Sequence, residues 1–287
     1  MKVKNFISTS LIAVMFAVVF VSSAMAQAST TVIVTPANYQ GWYFYDDNLD
    51  VVNNALGSFV TGPGTPPLGV GSAQVSTTTG QRPNLATSQF GGTALANITA
   101  LAFSTYNPSA GNTGSADRSA YLHFNVDFNG SNTYQNRLVY VPRQNGPVVQ
   151  NFWQEWDAIN GGNALWNYSK TSGCACWPAG IGGGGEPSST LKTWAQIISQ
   201  YPNARMHSLY PFIGMRVGEP YSGGYTENMD AFKFGTASGT TVFDFDPYPV
   251  VTSKDQCKNG GWMTFKRADG TSFKNQGDCV SYTNTGK

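Results

Sequence analysis

The run Tyr121-Leu122-His123-Phe124-Asn125-Val126-Asp127-Phe128 alternates strictly. A strand built from it carries Leu122, Phe124, Val126 and Phe128 on one face and Tyr121, His123, Asn125 and Asp127 on the other. A phenol, an imidazole, an amide and a carboxylate in a row can bond and stack against a hydroxyl-rich ligand, but they form no reaction signature. The plainer reading is a polar outer face satisfied by cross-strand partners such as Arg137. Alternation from Val149 likewise gathers Asn151, Trp153, Glu155 and Asp157 on one face. There Trp153 is a candidate ligand-binding ring, and Glu155 and Asp157 are the catalytic candidates if the chain is an enzyme. The alternative is a packed Trp153 beside solvated or paired carboxylates.

Acids gather in Asp46-Asp47-Asn48-Leu49-Asp50 and again at Asp230, Asp244 and Asp246. Asp46, Asn48 and Asp50 have the spacing that opens a helix–loop–helix calcium site, but Val51 replaces the required turn glycine and Gly57 stands where the bidentate Glu belongs. That loop type is excluded. If the terminal strands lie side by side, Asp46, Asp230 and Asp246 can share a structural Ca²⁺; otherwise they are turn and surface residues. No cofactor is required by any of these constellations. Of the four cysteines, Cys257 and Cys279 are the expected disulfide, closing a loop of roughly twenty residues, where a bridge contributes about 3 kcal/mol. Cys174 and Cys176 are then a short-loop disulfide or two thiols. No Cys or His pair has zinc-ligand spacing, and His123 and His207 are isolated.

The elements that must position these residues are mostly strands. Alternating runs at 31–34, 42–45, 71–77, 100–106, 121–128, 133–141, 148–156, 213–217, 229–234 and 241–246 are separated by Gly, Pro, Asn and Ser clusters. Hairpin turns are predicted at 129–132 and 236–239. Only one stretch reads as a helix of any length, roughly 190–201, with Ser189 as N-cap and Pro202 as stop. Many short strands with one short helix predict an all-β fold, an antiparallel β-sandwich of the jelly-roll, concanavalin-like kind.

The chain opens with Lys2 and Lys4, an apolar core from Leu11 to Val21 and the small-residue end Ala24-Met25-Ala26, the pattern of a secretory signal peptide over 1–26. Its apolar core is short of the roughly 20 residues a membrane span needs. A sandwich domain over 27–247 and a small disulfide-closed segment over 248–287 follow. Removal of the leader takes the formal net charge from +1 to −1, which leaves no basic excess to hold a nucleic acid. Only 11% of residues are charged, so uncharged polar side chains must cover the surface. The rings of Trp42, Trp166, Tyr168, Trp177, Tyr221 and Tyr225 fall outside obvious core positions, several of them within Gly- and Ser-rich loops. They either stack against sugar C–H faces or pin the loops to the sandwich. There is no G-x-S-x-G elbow, P-loop or dinucleotide fingerprint.

The run Glu155-Trp156-Asp157-Ala158-Ile159-Asn160 resembles the Glu-x-Asp-x-x-Glu signature of laminarinase-type jelly-roll β-glucanases. Asn160 stands where that family has its acid/base glutamate, and an amide can serve neither role. More widely, Gly69–Ala73, Ile98–Tyr106, Asn125–Asp127, Arg137–Tyr140, Tyr201–Arg205, Asn228–Gly235 and Thr241–Phe245 resemble a group of secreted bacterial β-sandwich proteins with concanavalin-like or carbohydrate-binding folds. The Cys257-Lys258-Asn259-Gly260-Gly261-Trp262 tail is similar to an end segment of many exported bacterial proteins. The resemblance implies a fold and an extracellular or cell-surface location, and supplies no catalytic residues. The expectation is a non-catalytic, lectin-like protein that binds a neutral polysaccharide or cell-surface glycan. A jelly-roll glycoside hydrolase and a structural surface or matrix protein are the alternatives.

Overall fold

The computed structural model describes residues 28–77, 82–112, 114, 116–161, 163–170, 175–181, 185–208, 213–216 and 224–286. The leader, Cys174 and Tyr221 lie outside them. In chain order the strands are β1 (Ser29–Val34), β2 (Trp42–Asp46), β3 (Val51–Val52), β4 (Gly57–Thr61), β5 (Gly71–Thr77), β6 (Pro83–Thr87), β7 (Ile98–Tyr106) and β8 (Tyr121–Asp127). They continue with β9 (Arg137–Tyr140), β10 (Trp153–Asp157), β11 (Leu165–Ser169), β12 (Lys192–Thr193), β13 (Arg205–Met206), β14 (Ile213–Arg216), β15 (Tyr225–Thr236) and β16 (Gly239–Phe245). Helices α1 (Trp194–Gln200), α2 (Gly261–Thr264) and α3 (Gln276–Thr285) are short.

The strands form two sheets, as the alternation predicts. In the first, β15 is the spine: β16 and β5 share one of its edges, β7 runs along the other, and β1, β4 and β10 lie outermost. Its pairs are antiparallel except β1–β16, which joins the two ends of the sandwich in parallel. The second sheet runs β12-β11-β9-β8-β14-β6-β2-β3, with β13 on β8.

Register explains the core. Across the second sheet, Phe44, Leu85, Met215, Leu122, Tyr140 and Trp166 fall in one row and Trp42, Thr87, Ile213, Phe124, Leu138 and Tyr168 in the next. All are buried. Trp42 reaches across the layer and packs edge-on against Phe232, Phe243 and Phe245 at centroid distances of 5.0, 5.3 and 5.1 Å. Such ring pairs favour one packing arrangement over others of equal area. The remaining aromatics pin loops: Trp166 Nε1 donates to Ala158 O, Tyr168 OH to Gln135 O and Trp177 Nε1 to Thr190 O. Trp42, Trp166, Tyr168, Trp177 and Tyr225 are all buried, so these five hold the fold rather than offering open faces.

Beyond β16 the chain packs a second small core of Val251, Cys257, Phe273 and Cys279, with Trp262, Phe265, Val280 and Tyr282 against it. The Cys257–Cys279 bridge closes it. Cys176 is also disulfide-bonded.

Candidate functional site

The polar side of β8 lies on the outside of the second sheet, yet it is not open to water. His123, Asn125 and Asp127 are buried, and Tyr121 is partly so. His123 Nε2 meets Asn84 Oδ1 at 2.6 Å. Their strands are separated by β14, where the residue opposite both His123 and Ala86 is Gly214. With no side chain there, imidazole and amide meet across the intervening strand. Asn125 Oδ1 accepts from Arg137 Nε at 3.1 Å, the cross-strand partner expected from the sequence. Arg137 also pairs with Asp47 at 2.6 Å, and the Asp47 carboxylate is only 3% exposed. Four strand steps separate β9 from β2, roughly 19 Å in a flat sheet. The β2–β3 turn therefore folds over this face. Tyr45 OH donates to Asp50 beside it, and burial with the Asp50 charge raises the phenol's pKa.

Next to this layer the outer face hollows into a cavity of about 350 Å³. Tyr121 and His123 from β8, Arg137 and Val139 from β9, Asn167 and Ser169 from β11 and the hydroxyls of Ser188 and Ser189 line it. The rows His123–Val139–Asn167 and Arg137–Ser169 are set by register, so rigid strands hold these groups. Among the described residues no carboxylate lines the hollow.

The other sequence candidates lie elsewhere. Asp127 accepts from the backbone N–H groups of Asn129, Gly130 and Asn132 and so ties the β8–β9 turn. Trp153 is on β10 in the first sheet, away from β8, and its indole donates to Pro63 O at 2.8 Å. Its indole N–H is thus a tether, on a different sheet from Tyr121. Glu155, half-exposed on the same strand, is ion-paired with Lys233 at 2.5 Å. Asp157 accepts from Ile159 and Asn160 N–H and shapes the turn after β10.

The three aspartates expected at a shared Ca²⁺ are divided between the two sheets. Asp46 lies on β2 in the second sheet, where it accepts from Asn48 N–H. Asp230 and Asp246 are in the first sheet and accept from Leu68 and Val70 N–H. Among the described residues no three or more His, Cys, Asp or Glu side chains are arranged to hold a metal ion.

Asn84, Asn167 and Ser188 join the site with no sequence signal of their own, and Ser189 joins it in a role other than the helix cap expected of it. The glycine inside the strand run at 213–216 was the available signal, since a strand glycine marks a close approach. Comparison of the chain with protein-family models, curated proteins and solved structures returns no match. The fold defines an all-β sandwich, and its site must be read from its own residues.

Proposed function

We propose that the protein is a secreted, lectin-like binder of a neutral polysaccharide or cell-surface glycan, with the hollow beside β8 as its sugar site. The observation that carries this reading is the lining. A partly buried tyrosine stands with hydroxyl, amide and imidazole groups around about 350 Å³. That is the lower end of the range for ligand pockets, and suits one or two sugar rings. The Tyr121 ring offers a face to sugar C–H groups, while Asn167, Ser169, Ser188 and Ser189 match hydroxyls as donors and acceptors. The Cys257–Cys279 bridge supports an oxidising compartment. Non-catalytic binding is favoured because Glu155 is engaged by Lys233 and Asp157 by the backbone of its own turn, so both carboxylates already serve structural partners.

The test is retention on a panel of immobilised polysaccharides, with and without EDTA, assaying the same wells for released reducing ends. Retention without release is expected, with Tyr121→Ala and Asn167→Ala each weakening it about tenfold. Trp153→Phe should leave it unchanged. Release that vanishes in Glu155→Gln would establish a hydrolase instead, and absence of both signals would favour a structural surface protein.

A further inference from the structure

On the opposite sheet, the connection between β4 and β5 crosses the outer face as a strap. Gly62 N–H donates to Val70 O at 2.9 Å and closes its base. Ser72 Oγ donates to Gly62 O at 2.6 Å, and the Trp153 indole on β10 holds Pro63 O at 2.8 Å. Its far arm is held by carboxyl groups. Leu68 N–H donates to Asp230 Oδ2 at 3.0 Å and Val70 N–H to Asp246 Oδ1 at 2.9 Å. Gly69, at φ +52°, lies so close that a Cβ there would stand 2.2 Å from Asp246 Oδ2.

A bulge at Ala231 (φ 51°) turns Asp230 outward although Phe232, two residues on, faces the core. It thereby joins Asp244 and Asp246, which alternate with the core residues Phe243 and Phe245. Asp230, Asp244 and Asp246 are all buried, and among the described residues Asp244 Oδ1 and Asp246 Oδ2 have no hydrogen-bond partner. Among the described residues none of the three is ion-paired.

The surrounding elements bring little charge. The strap, Gly62 to Val70, has no titratable side chain, and β5 offers Ser72 and Gln74. Ile33 of β1 pairs with Asp244, and Ser104 of β7 pairs with Asp230. Pro247 and Tyr248 follow Asp246. Farther along the face Lys233 of β15 and Glu155 of β10 are paired with each other, and Lys266 of the tail lines the hollow that Ile33 also borders.

We propose that Asp230, Asp244 and Asp246 form a proton-held latch: while they share protons the strap stays closed over Tyr106 and Trp153, and losing those protons releases it. Three carboxylates cannot all ionise in a buried site without a cation. Burial, with Asp244 adding repulsion, pushes Asp230 up to about 8; burial and the Asp246 charge push Asp244 up to about 7. Burial also raises Asp246. In the open strap these groups meet water and regain ordinary acidity. Opening therefore becomes more favourable as pH rises from about 4 to about 8, by up to tenfold per pH unit for each proton released, and levels off above.

The test is amide hydrogen exchange at Leu68 and Val70 in the full chain with EDTA present, expressed as protection factors to remove intrinsic pH dependence. Protection should fall at least about tenfold between pH 5 and pH 8. The fall should disappear in Asp230→Asn with Asp244→Asn, which keeps an acceptor oxygen at each position. Flat protection in the wild type, or an undiminished fall in the double variant, would overturn the latch. Carboxyl ¹³C titration of the wild type decides the matter even if the variant does not fold, because three ordinary aspartate titrations near pH 4 exclude shared protons.

Discussion

Glu227 shows what one residue can demand of a fold. It lies on β15 between Tyr225 and Met229, facing the core, and is fully buried. Burial pushes its carboxyl up to about 7, against hydrogen bonds from Tyr225, Ser119, Ala120 and Thr105 that favour the charged form. Ser119 Oγ donates to Oε1 at 2.9 Å and Tyr225 OH to Oε2, while Thr105 links Ser119 to the Trp156 indole. A folded pKa above the unfolded value of 4.5 stabilises the fold at low pH, and that contribution is lost as pH rises from about 4.5 through about 7. Glu227→Gln keeps the network without ionising. At pH 6 it should cost less than about 1 kcal/mol, whereas Glu227→Leu strands Ser119, Tyr225 and the Ala120 N–H and should cost about 3 kcal/mol. Urea unfolding across pH checks both, since Gln should also remove about 1.4 kcal/mol per pH unit of slope between pH 5 and 7. Residue types were legible in the sequence and their company was not. Tyr121 and His123 share a hollow, while Trp153, Asp230 and Asp246 all bond the strap backbone, a common partner that no local pattern reveals. The bulge at Ala231 shifts the face on which Asp230 falls, and no alternation rule anticipates it.

At the scale of elements, strands with clean alternation were legible, and β5 spans the residues expected of it. Misses came where alternation competes with a breaker. β6 opens at Pro83, a tolerated first position, and every residue in it is buried, so it shows no two-faced pattern. The expected helix over 190–201 is shorter: Lys192 and Thr193 pair as β12, and α1 begins at Trp194. Ser189 is not its cap, because Thr193 and Gln196 form a reciprocal capping box. Thr193→Ala should therefore cost about 1 kcal/mol in chemical denaturation, and Ser189→Ala little. The strap makes a sharper prediction. Gly69→Ala introduces a Cβ 2.2 Å from Asp246 Oδ2 at a positive φ. It should speed exchange at Leu68 and Val70 at every pH, unlike the aspartate substitutions, which alter the pH profile. Equal exchange in Gly69→Ala and wild type at pH 5 would show that this close approach does not hold the strap.

For the whole molecule, the separation of the two apolar clusters decides how it comes apart. The sandwich core joins both sheets, while Val251, Cys257, Phe273 and Cys279 form their own. Arg267 braces that small core, over the Phe273 ring at 4.5 Å and paired with Asp278 at 2.7 Å. Between the two bodies lies a hollow of about 720 Å³, with Val32, Ile33 and Pro36 on one side and Phe265 and Lys266 on the other. Missing contacts across such a gap weaken coupling, because dispersion falls off steeply with separation. The cysteine spacing pointed to the bridge; the hollow depends on long-range placement that local pattern does not carry. A core this small relies on its crosslink, which contributes about 3 kcal/mol for a loop of this length. Cys257→Ser with Cys279→Ser should therefore unfold the tail in a separate, earlier transition. Tail fluorescence from Trp262 should be lost first, while near-ultraviolet circular dichroism from the sandwich rings persists. A single coincident transition would mean instead that the tail is cooperative with the sandwich, with the walls of the hollow closing on each other in solution.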